Sequence, residues 1–316
     1  MAATIIIEDK QENHANVFSP YSRPVAYVNP GDRVVVNAPD ALTNHVTKKE
    51  HLFTEQTKKR RHGNAVIGPV YINGAKKGDT LSVKIIDIKF RRDFAISCIV
   101  PRFGSLIGNP ENAAVLNEPY PEHTYYWELN KNGDEFYEKE LDIAIPVKPM
   151  IGCIGVSPEI EAISSKTPDM HGGNMDVKCA CPGNTMYFPV LCDGAYFFCG
   201  DCHGNQGDGE ICGQALEISA EIHLEFGVEK DKKIRWPRVE SPDRIMVIGS
   251  GRPMEEAGKV AYIDLIRWMQ SEYHFNEADA LQILTQVGEM YVGNSCSAHY
   301  SLVASIEKKY LNSRAK

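Results

Sequence analysis

Residues 215–226, ALEISAEIHLEF, alternate between apolar and polar side chains without interruption. A period of two places successive side chains on opposite faces of a β-strand and does not match a helix. The apolar face comprises Leu216, Ile218, Ala220, Ile222, Leu224 and Phe226, and the polar face comprises Glu217, Ser219, Glu221, His223 and Glu225. We therefore predict a half-buried strand whose polar face is solvated over most of its length. Glu217 is the exception, because it lies nearest a glycine-rich loop and is placed to reach a site there.

Strand-like segments recur through the first two thirds of the chain. Short β-branched or aromatic runs bounded by turn residues predict strands at 33–38, 65–72, 80–90, 186–192 and 195–200. In the third of these runs, Leu81, Val83 and Ile85 fall on one face. Residues 101–145 are rich in Pro, Asn, Glu and aromatic residues, which is typical of either a long excursion or a small subdomain.

Helical periodicity appears only near the C-terminus. In the segment 255–274, an apolar stripe at helical spacing is formed by Ala257, Ala261, Leu265, Trp268 and Met269. Asn276 is a good N-cap for a second helix, with Asp279 three residues later. The apolar side of that helix is predicted to be Ala280, Leu281, Leu284 and Val287. Both stripes are interpreted as core packing. The predicted fold is mainly β, with a sandwich or barrel core and C-terminal α+β elements.

Length and charge limit the possible functions. The 316 residues can bury a large core, and no low-complexity linker divides them. We treat 1–316 as one unit, with a β-rich part at 1–226 and a tail at 227–316.

The net charge of -8 argues against nucleic acid as a partner. The densest basic run, 58–61, is interpreted as a solvated loop or an interface, with an anion site as the alternative.

The N-terminus and the cysteines indicate the compartment. The start, MAATIIIEDKQ, lacks the basic and apolar regions of a signal peptide. No apolar run is long enough for a membrane span, so no membrane partner is expected. The nine cysteines are then expected to be mostly reduced thiols. We predict a cytoplasmic protein.

The stretch 200–213, GDCHGNQGDGEICG, combines five glycines, three carboxylates and a histidine. A second glycine-rich phrase, HGGNMD, lies upstream at 171–176. The intervening residues predict two strands joined by a turn at 193–194, and such a hairpin would bring the two phrases together. The side chains that would converge are His171, Asp176, Asp201, His203 and Glu210. Imidazole and carboxylate ligands together suit Zn²⁺ or a similar ion, and a further carboxylate could act as base for a water.

The cysteines offer a competing hypothesis. Cys179 and Cys181, with Cys199 and Cys202, could form a structural zinc site, or the C-x-x-C pair could be redox-active. Cys202 beside His203 could also act as a nucleophile. However, adjacent residues on a strand point in opposite directions, which argues against that pair.

Several long phrases together resemble the acetamidase/formamidase family. They are GNAVIGPVYINGAKKGDTLSVKIIDI (63–88), HGGNMD (171–176), MYFPVLCDGAYFFCGDCHGNQGDGEICGQALEI (186–218) and the helical tail near 255–290. The resemblance spans most of the chain in the family's order. It implies a jelly-roll-like β-sandwich with an additional β-barrel-like part. It also implies hydrolysis of a short-chain amide, formamide or acetamide, to ammonia and the carboxylate.

The resemblance also implies roles for individual residues. A divalent metal, zinc, with calcium possible at a second site, is expected on His171, Asp176, Asp201, His203 and Asp40. The catalytic acids and bases are expected to be Glu210 and Asp208. Substrate contacts are expected from Gly173, Asn174, Gly207 and Gly209. The chain departs from the family's pattern after Asp40, where His45 and His51 stand in an unfamiliar, lysine-rich stretch. His45 and Glu217 are additional candidate ligands.

We keep two alternatives to the amidohydrolase hypothesis. One is a noncatalytic β-sandwich module that binds a ligand and uses metal only for structure; many unpaired acids near one site would then be costly. The other is the cysteine-based structural-zinc or redox protein. For the amidohydrolase we expect a small amide as substrate and self-association, taken as a dimer.

Overall fold

The computed structural model describes residues 3–58, 63–106 and 120–311. The strands of this part of the chain are β1 (Thr4–Ile7), β2 (His14–Ala15), β3 (Val17–Phe18), β4 (Ala26–Val28), β5 (Arg33–Ala38), β6 (Val66–Ile72), β7 (Thr80–Phe90), β8 (Phe94–Ile99), β9 (His123–Leu129), β10 (Glu135–Glu138), β11 (Ile143–Pro146), β12 (Met150–Gly155), β13 (Ile163–Ser164), β14 (Gly172–Asn174), β15 (Thr185–Pro189), β16 (Phe197–His203), β17 (Ala220–Glu229), β18 (Arg238–Glu240), β19 (Arg244–Gly251), β20 (Glu289–Asn294) and β21 (Tyr300–Glu307). The helices are α1 (Phe53–Thr57), α2 (Met254–Tyr273) and α3 (Glu277–Val287), with short 3-10 turns at Gln11–Asn13 and Lys308–Tyr310. The fold is mainly β, as predicted.

Two large sheets form the body of the described structure. One has nine strands in the order β1-β5-β17-β7-β15-β18-β19-β21-β20, and the other runs β14-β12-β16-β6-β2 with β4 paired to β6. Residues of both sheets belong to one buried apolar cluster. Phe197 of the smaller sheet, for example, lies edge-on to Phe226 of the larger sheet, 5.0 Å between ring centroids. The two sheets therefore pack face to face, which is how strands with one apolar face are buried.

The strand predicted from strict alternation forms as β17, and its apolar residues from Leu216 to Phe226 are all buried. Its neighbour β7 also begins as predicted, with Leu81, Val83 and Ile85 inside the sandwich. A bulge between the two strands, opposite His223 and Leu224, then shifts the pairing by one residue. Ile88 rather than residue 87 is buried beyond it. The bulge explains why alternation in 80–90 does not continue to the end of the strand.

Residues 101–145 supply part of a separate small sheet. Its order is β11-β10-β9-β8, and Phe136 and Trp127 of this sheet pack with Leu216 and Ile218. Of the two interpretations left open for this segment, the described part favours a small subdomain. Residues 107–119 lie outside the described residues.

Helices α2 and α3 cover the outer face of the large sheet. Strand β19 directs Met246 and Ile248 into the sandwich, whereas Ile245 and Val247 lie under the helices. The predicted α2 stripe, from Ala257 to Met269, is buried there. In α3, Asn276 caps the helix by accepting from the Asp279 amide N–H at 2.8 Å. The predicted apolar side of α3 is only partly correct: Ala280 and Leu284 are buried, but Leu281 is 58% exposed.

The predicted hairpin between 186 and 200 is wrong. Strand β15 pairs with β7 and β18 in the nine-stranded sheet, whereas β16 pairs with β12 and β6 in the other sheet. The turn at 193–194 thus carries the chain from one sheet to the other. The two glycine-rich phrases still meet, because β12 pairs with β14 on one side and β16 on the other.

No helix in the described ranges has the length and apolar character needed to cross a membrane.

Close approach of α2 to β19 depends on the absence of a side chain at Gly249. A Cβ at this position would lie 2.1 Å from the Ala257 carbonyl oxygen. We predict that Gly249→Ala lowers the free energy of unfolding by about 3 kcal/mol, because the helix must move away from the sheet. Urea denaturation measures this. Gly251→Ala on the same strand is the control, since its nearest atom would be 3.6 Å away. Equal losses in the two variants would contradict the explanation.

Candidate active site

Three segments bring ionisable side chains to one end of the smaller sheet. Asp201 and His203 are on β16, Asp176 follows β14, and the loop after β16 supplies Glu210 and Glu217. Strand β12 separates the first two segments, and its Gly152 lies against the cluster. A Cβ at Gly152 would lie 2.5 Å from Asp176 Oδ1 and 2.9 Å from His203 Cε1. The pairing of β12 with both neighbours, together with the missing side chain, lets these groups meet.

His203 is buried and its tautomer follows from its neighbour Gln206. The Gln206 amide donates from Nε2 to the carbonyl oxygens of Asp176 (2.8 Å) and Gly293 (3.1 Å). Its Oε1 must therefore accept from His203 Nδ1, 2.9 Å away. His203 Nε2 then faces Asp201 Oδ1 at 3.3 Å and Glu217 Oε1 at 3.7 Å. A histidine with one nitrogen fixed by an amide and the other facing carboxylates has the arrangement of a metal ligand.

The buried carboxylates of Asp176 and Glu217 each have one oxygen that accepts hydrogen bonds and one that has no partner in the described structure. Asp176 Oδ2 accepts from the side-chain amides of Asn174 and Asn294, the latter at 2.6 Å. Glu217 Oε1 accepts from the Ala215 amide N–H at 3.1 Å. Asp176 Oδ1 and Glu217 Oε2 are buried and have no hydrogen-bond partner among the described residues. Buried oxygens of this kind are costly unless a proton or a cation satisfies them.

The ligand atoms form two groups of three that share His203, and each group is compact enough to hold an ion. Those of Asp176, Asp201 and His203 lie within 4.8 Å of one another, as do those of His203, Glu210 and Glu217. Asp176, Asp201 and Glu210 have left-handed backbones, with φ of 49°, 60° and 46°. This conformation is uncommon for residues other than glycine and is found where a fold requires a particular side-chain direction.

Burial and mutual repulsion alter the charges in this cluster. Burial raises the pKa of Glu210 to about 7, although His203 opposes the shift. The pKa values of Asp176 and Glu217 are well above the usual range, through burial and neighbouring carboxylates. Burial lowers the pKa of His203, but the Glu217 and Asp201 carboxylates outweigh burial and raise it well above its ordinary value. The cluster therefore favours bound protons or a bound cation.

A cavity of about 280 Å³ ends on this cluster. Asp201, Glu210 and Glu217 line its acidic side, and the aromatic rings of Phe53 and Phe103 line another part. The remaining lining residues are Ala41, Leu42, Asn64, Lys166, Thr167, Asn174, Gly213, Gln214, Cys296, Ser297 and Ala298. A small polar molecule could thus reach the carboxylates through a partly apolar entrance.

Three predicted site residues lie outside the cluster. Asp40 is buried but forms an ion pair with Arg92, 2.7 Å between Oδ2 and Nη2. Asp208 is exposed and pairs with Lys178. His45 bonds through Nδ1 to Thr43, and His51 Nδ1 accepts from the Thr47 amide. The structure therefore does not bring Asp208 or His45 to the groups around His203. Asp40 lies beside the cluster, because the same Arg92 nitrogen donates to the Glu217 carbonyl oxygen at 2.8 Å.

His171 is buried next to the site without joining it. Neither ring nitrogen has a hydrogen-bond partner in the described structure, and its ring lies edge-on to Phe18 at 5.0 Å between centroids. Burial lowers the pKa of His171 to about 3, so the ring is neutral. Neither of the two groups of described residues with metal-ligand spacing includes His171.

The predicted substrate-contact residues differ in position. Asn174 lines the cavity and accepts from Asn64 Nδ2 at 2.6 Å through Oδ1. Gly173 and Gly209 have φ of 94° and 81° and shape the turns beside the cluster. Gly207 has open space where a Cβ would be. Of these four residues, only Asn174 is among the lining residues of the cavity.

Two side chains that hold the site together, Asn294 and Cys296, were not predicted from the sequence. Asn294 is fully buried, donates to Asp176 Oδ2 and accepts from the backbone amides of Cys296 and Ser297, both at 2.9 Å. Cys296 places its Sγ 3.6 Å from Glu210 Oε2. The available signal was the small polar run after the β20 segment, NSCSA at 294–298. Such a run is also typical of ordinary turns.

The cysteine hypotheses do not agree with the structure. Cys179, Cys199 and Cys202 belong to the apolar core of the sandwich. Within the described ranges no group with metal-ligand spacing contains a cysteine, and all nine thiols are free. Burial raises the pKa of Cys179 to about 12 and also raises those of Cys199, Cys202 and Cys296. Neutral thiols packed in a core are poor ligands and nucleophiles.

Comparison with known proteins agrees with the resemblance found in the sequence. The model of the acetamidase/formamidase family matches residues 3–167 and 159–267. A formamidase of Methylophilus methylotrophus is 23% identical over 300 residues, which cover 76% of this chain and 72% of that protein. A crystal structure of an acetamidase from Yersinia enterocolitica is 38% identical, with a TM-score of 0.92 over 98% of this chain and 93% of the other. An acetamidase from Bacillus halodurans is 27% identical, with a TM-score of 0.87 over 99% and 100%.

Glu210 should make stability depend on pH. Its pKa of about 7 in the fold exceeds the ordinary 4.5, so the folded state holds this proton more tightly than the unfolded state. The stabilisation is complete below about pH 4.5 and is lost as pH rises through about 7, on the order of 3 kcal/mol. Glu210→Gln cannot ionise, so the variant should gain stability relative to the parent across this window. Urea denaturation of both proteins with chelator present measures the difference, and a difference that is constant with pH would refute the assignment.

Proposed function

Because the chain belongs to the acetamidase/formamidase family, we propose that it hydrolyses formamide or acetamide in the cavity that ends on Asp201, Glu210 and Glu217. Membership of this family shows that the chain is a hydrolase acting on linear amides. The buried cluster around His203, which a cavity connects to the surface, supports this location for the reaction. Its volume suits a small substrate.

We propose that Asp176, Asp201, His203 and Glu217 hold a divalent metal ion, with zinc preferred because imidazole and carboxylate ligands suit it. The fit rests on the two unsatisfied buried oxygens, Asp176 Oδ1 and Glu217 Oε2, and on the Nε2 of His203. When bound, the ion would supply Lewis-acid chemistry, polarising the amide carbonyl and making a water more acidic. Asp40 and His171, predicted as ligands, are not members of this group. Calcium at a second site remains a prediction.

Glu210 is suited to move the protons of the reaction. Its pKa of about 7 lies near neutral pH, where a general base is most effective. As the base, Glu210 takes a proton from the attacking water. It then gives the proton to the amide nitrogen, so that ammonia can leave. Cys296, 3.6 Å from Glu210 Oε2, donates its thiol hydrogen and helps to orient the carboxylate.

Gln214 is suited to recognise the amide nitrogen of the substrate. Its side chain lines the cavity, and its Oε1 is buried without a hydrogen-bond partner in the part of the chain that the structure describes. A primary amide has an NH₂ group that can donate to such an acceptor. The wall formed by Phe53 and Phe103 would contact the acyl end of the substrate.

Self-association, taken as a dimer, remains a prediction. Exposed apolar side chains on the C-terminal helices and β20, namely Ile263, Leu281 and Met290, support it. A cytoplasmic location also remains a prediction.

Glu210→Gln should separate proton transfer from metal binding. We expect kcat for ammonia release to fall by about 10²–10⁴-fold, because the amide cannot accept the proton of the water. Metal content, measured by elemental analysis of the same sample, should stay at the parent level. Glu221→Gln, on the half-exposed face of β17, is the control and should keep parental activity. Loss of metal in the Glu210 variant would make Glu210 a ligand instead of the base.

Ammonia release from formamide and acetamide, before and after chelation, tests the reaction and its metal. We expect turnover of at least one amide, its loss when the metal is removed, and its return on adding one divalent ion. The ion that restores activity identifies the metal. Turnover that persists after elemental analysis shows an empty site would overturn the metal proposal. Failure to release ammonia from either amide, with metal bound, would overturn the proposed substrates.

A further inference from the structure

A second cavity, of about 680 Å³, shares no lining residue with the cavity that ends on the carboxylate cluster. It opens between the segment before β18 and the helix α2. Its lining has five cationic side chains, Lys232, Lys233, Arg235, Arg238 and Arg267, and two carboxylates, Asp264 and Glu272. Four come from the short sequence KKIRWPR at 232–238, and α2 supplies the fifth. Only the fold brings Arg267 to the others, which is why no basic site was predicted here.

The positive charge of this cavity is only partly neutralised. Lys232 pairs with Glu229 at 2.7 Å and with Glu272 at 2.8 Å. In the described structure, Lys233, Arg235 and Arg267 form no ion pair with any carboxylate. Unpaired cations gathered in one concave surface create a local positive potential that attracts anions.

Arg238 gives the cavity a fixed binding group. Its side chain is only 6% exposed, and its Nε donates to Asp264 Oδ2 at 2.9 Å. The guanidinium lies over the ring of Trp268, 5.0 Å from the centroid. Its two terminal nitrogens have no acceptor among the described residues, although Arg238 lines the cavity. A guanidinium held at Nε and by a ring presents its free edge in a fixed direction, which suits the oxygens of an oxyanion.

We propose that this cavity is an anion site, separate from the active site, that binds a phosphate group or a carboxylate. Arg238 would supply the fixed hydrogen-bond donors. Arg235, Arg267 and Lys233 would add charge around the bound anion. The proposal does not depend on the amidase reaction, because none of these residues contacts the cluster around His203.

Titration calorimetry with inorganic phosphate, and separately with succinate, tests the proposal at constant ionic strength. We expect saturable binding of at least one of the two anions. The double variant Arg235→Gln/Arg267→Gln should bind about tenfold more weakly, because charge-assisted contacts are lost. Both side chains are exposed, so the fold should be kept, which circular dichroism checks. Arg238→Lys keeps the charge but loses the fixed fork, and should also weaken binding.

A matched control removes two charges elsewhere. Lys131→Gln/Lys139→Gln changes the net charge equally at exposed residues outside the cavity, and should change the affinity less than about twofold. Tighter binding of phosphate than succinate would identify a phosphate-bearing ligand, and the reverse order a carboxylate; either supports the site. Absence of saturable binding of both anions, or equal weakening in the two double variants, would overturn it.

Discussion

The burial of four carboxylates around one histidine is the constraint on which the rest of this structure depends. Asp176, Asp201, Glu210 and Glu217 surround His203 and are all nearly inaccessible to solvent. Ionised side chains so close together repel one another strongly in a poorly hydrated interior. Such an arrangement persists only where the surrounding fold fixes every side chain and where protons or a cation offset the charge. Burial, and after it the repulsion between neighbouring carboxylates, raises the pKa values of three of these carboxyls.

Side-chain amides from distant segments fix the cluster. Gln206 holds the imidazole, while Asn174 and Asn294 hold one oxygen of Asp176. Asn294 lies at the end of β20, so the C-terminal strands of the large sheet reach the cluster built on the smaller sheet. The sandwich is thus a means of supporting the site from both sheets, and the helices on the outer face hold β19 and β21 in place behind it.

Local patterns predicted the strands and helices well because each pattern reflects one buried face. The alternation in 215–226, the first half of the run at 80–90 and the α2 stripe became elements with the expected side inward, and the run at 33–38 formed a strand as predicted. Pairing could not be predicted in the same way. The runs at 186–192 and 195–200 have the signal of a hairpin, but their partners β7 and β12 are distant in sequence. The local pattern assigns both runs to the same sheet, whereas the structure places them in two different sheets.

The site was predicted where ligand-type residues are close together in the sequence. The phrases around 176, 201 and 210 contain the side chains that meet, and Glu217 was recognised from its place next to the loop. Asp40 and Asp208 have the same chemistry, but Arg92 and Lys178 pair with them. A sequence does not reveal such pairing across many residues. Asn294 and Gly152 went unnoticed because they perform no chemistry: one is a hydrogen-bond donor, and the other matters only through the space it leaves empty.

The left-handed backbone at Asp176, Asp201 and Glu210 has a consequence for attempts to rebuild this site in another protein. Side chains at these positions leave the chain in directions that regular strands and helices do not provide, so grafting the five residues onto an ideal scaffold would misdirect three of them. A designer would have to copy the turns first and add the acids afterwards. Asparagine tolerates this conformation better than most residues. Asp176→Asn and Asp201→Asn are therefore the substitutions that best preserve the backbone conformation.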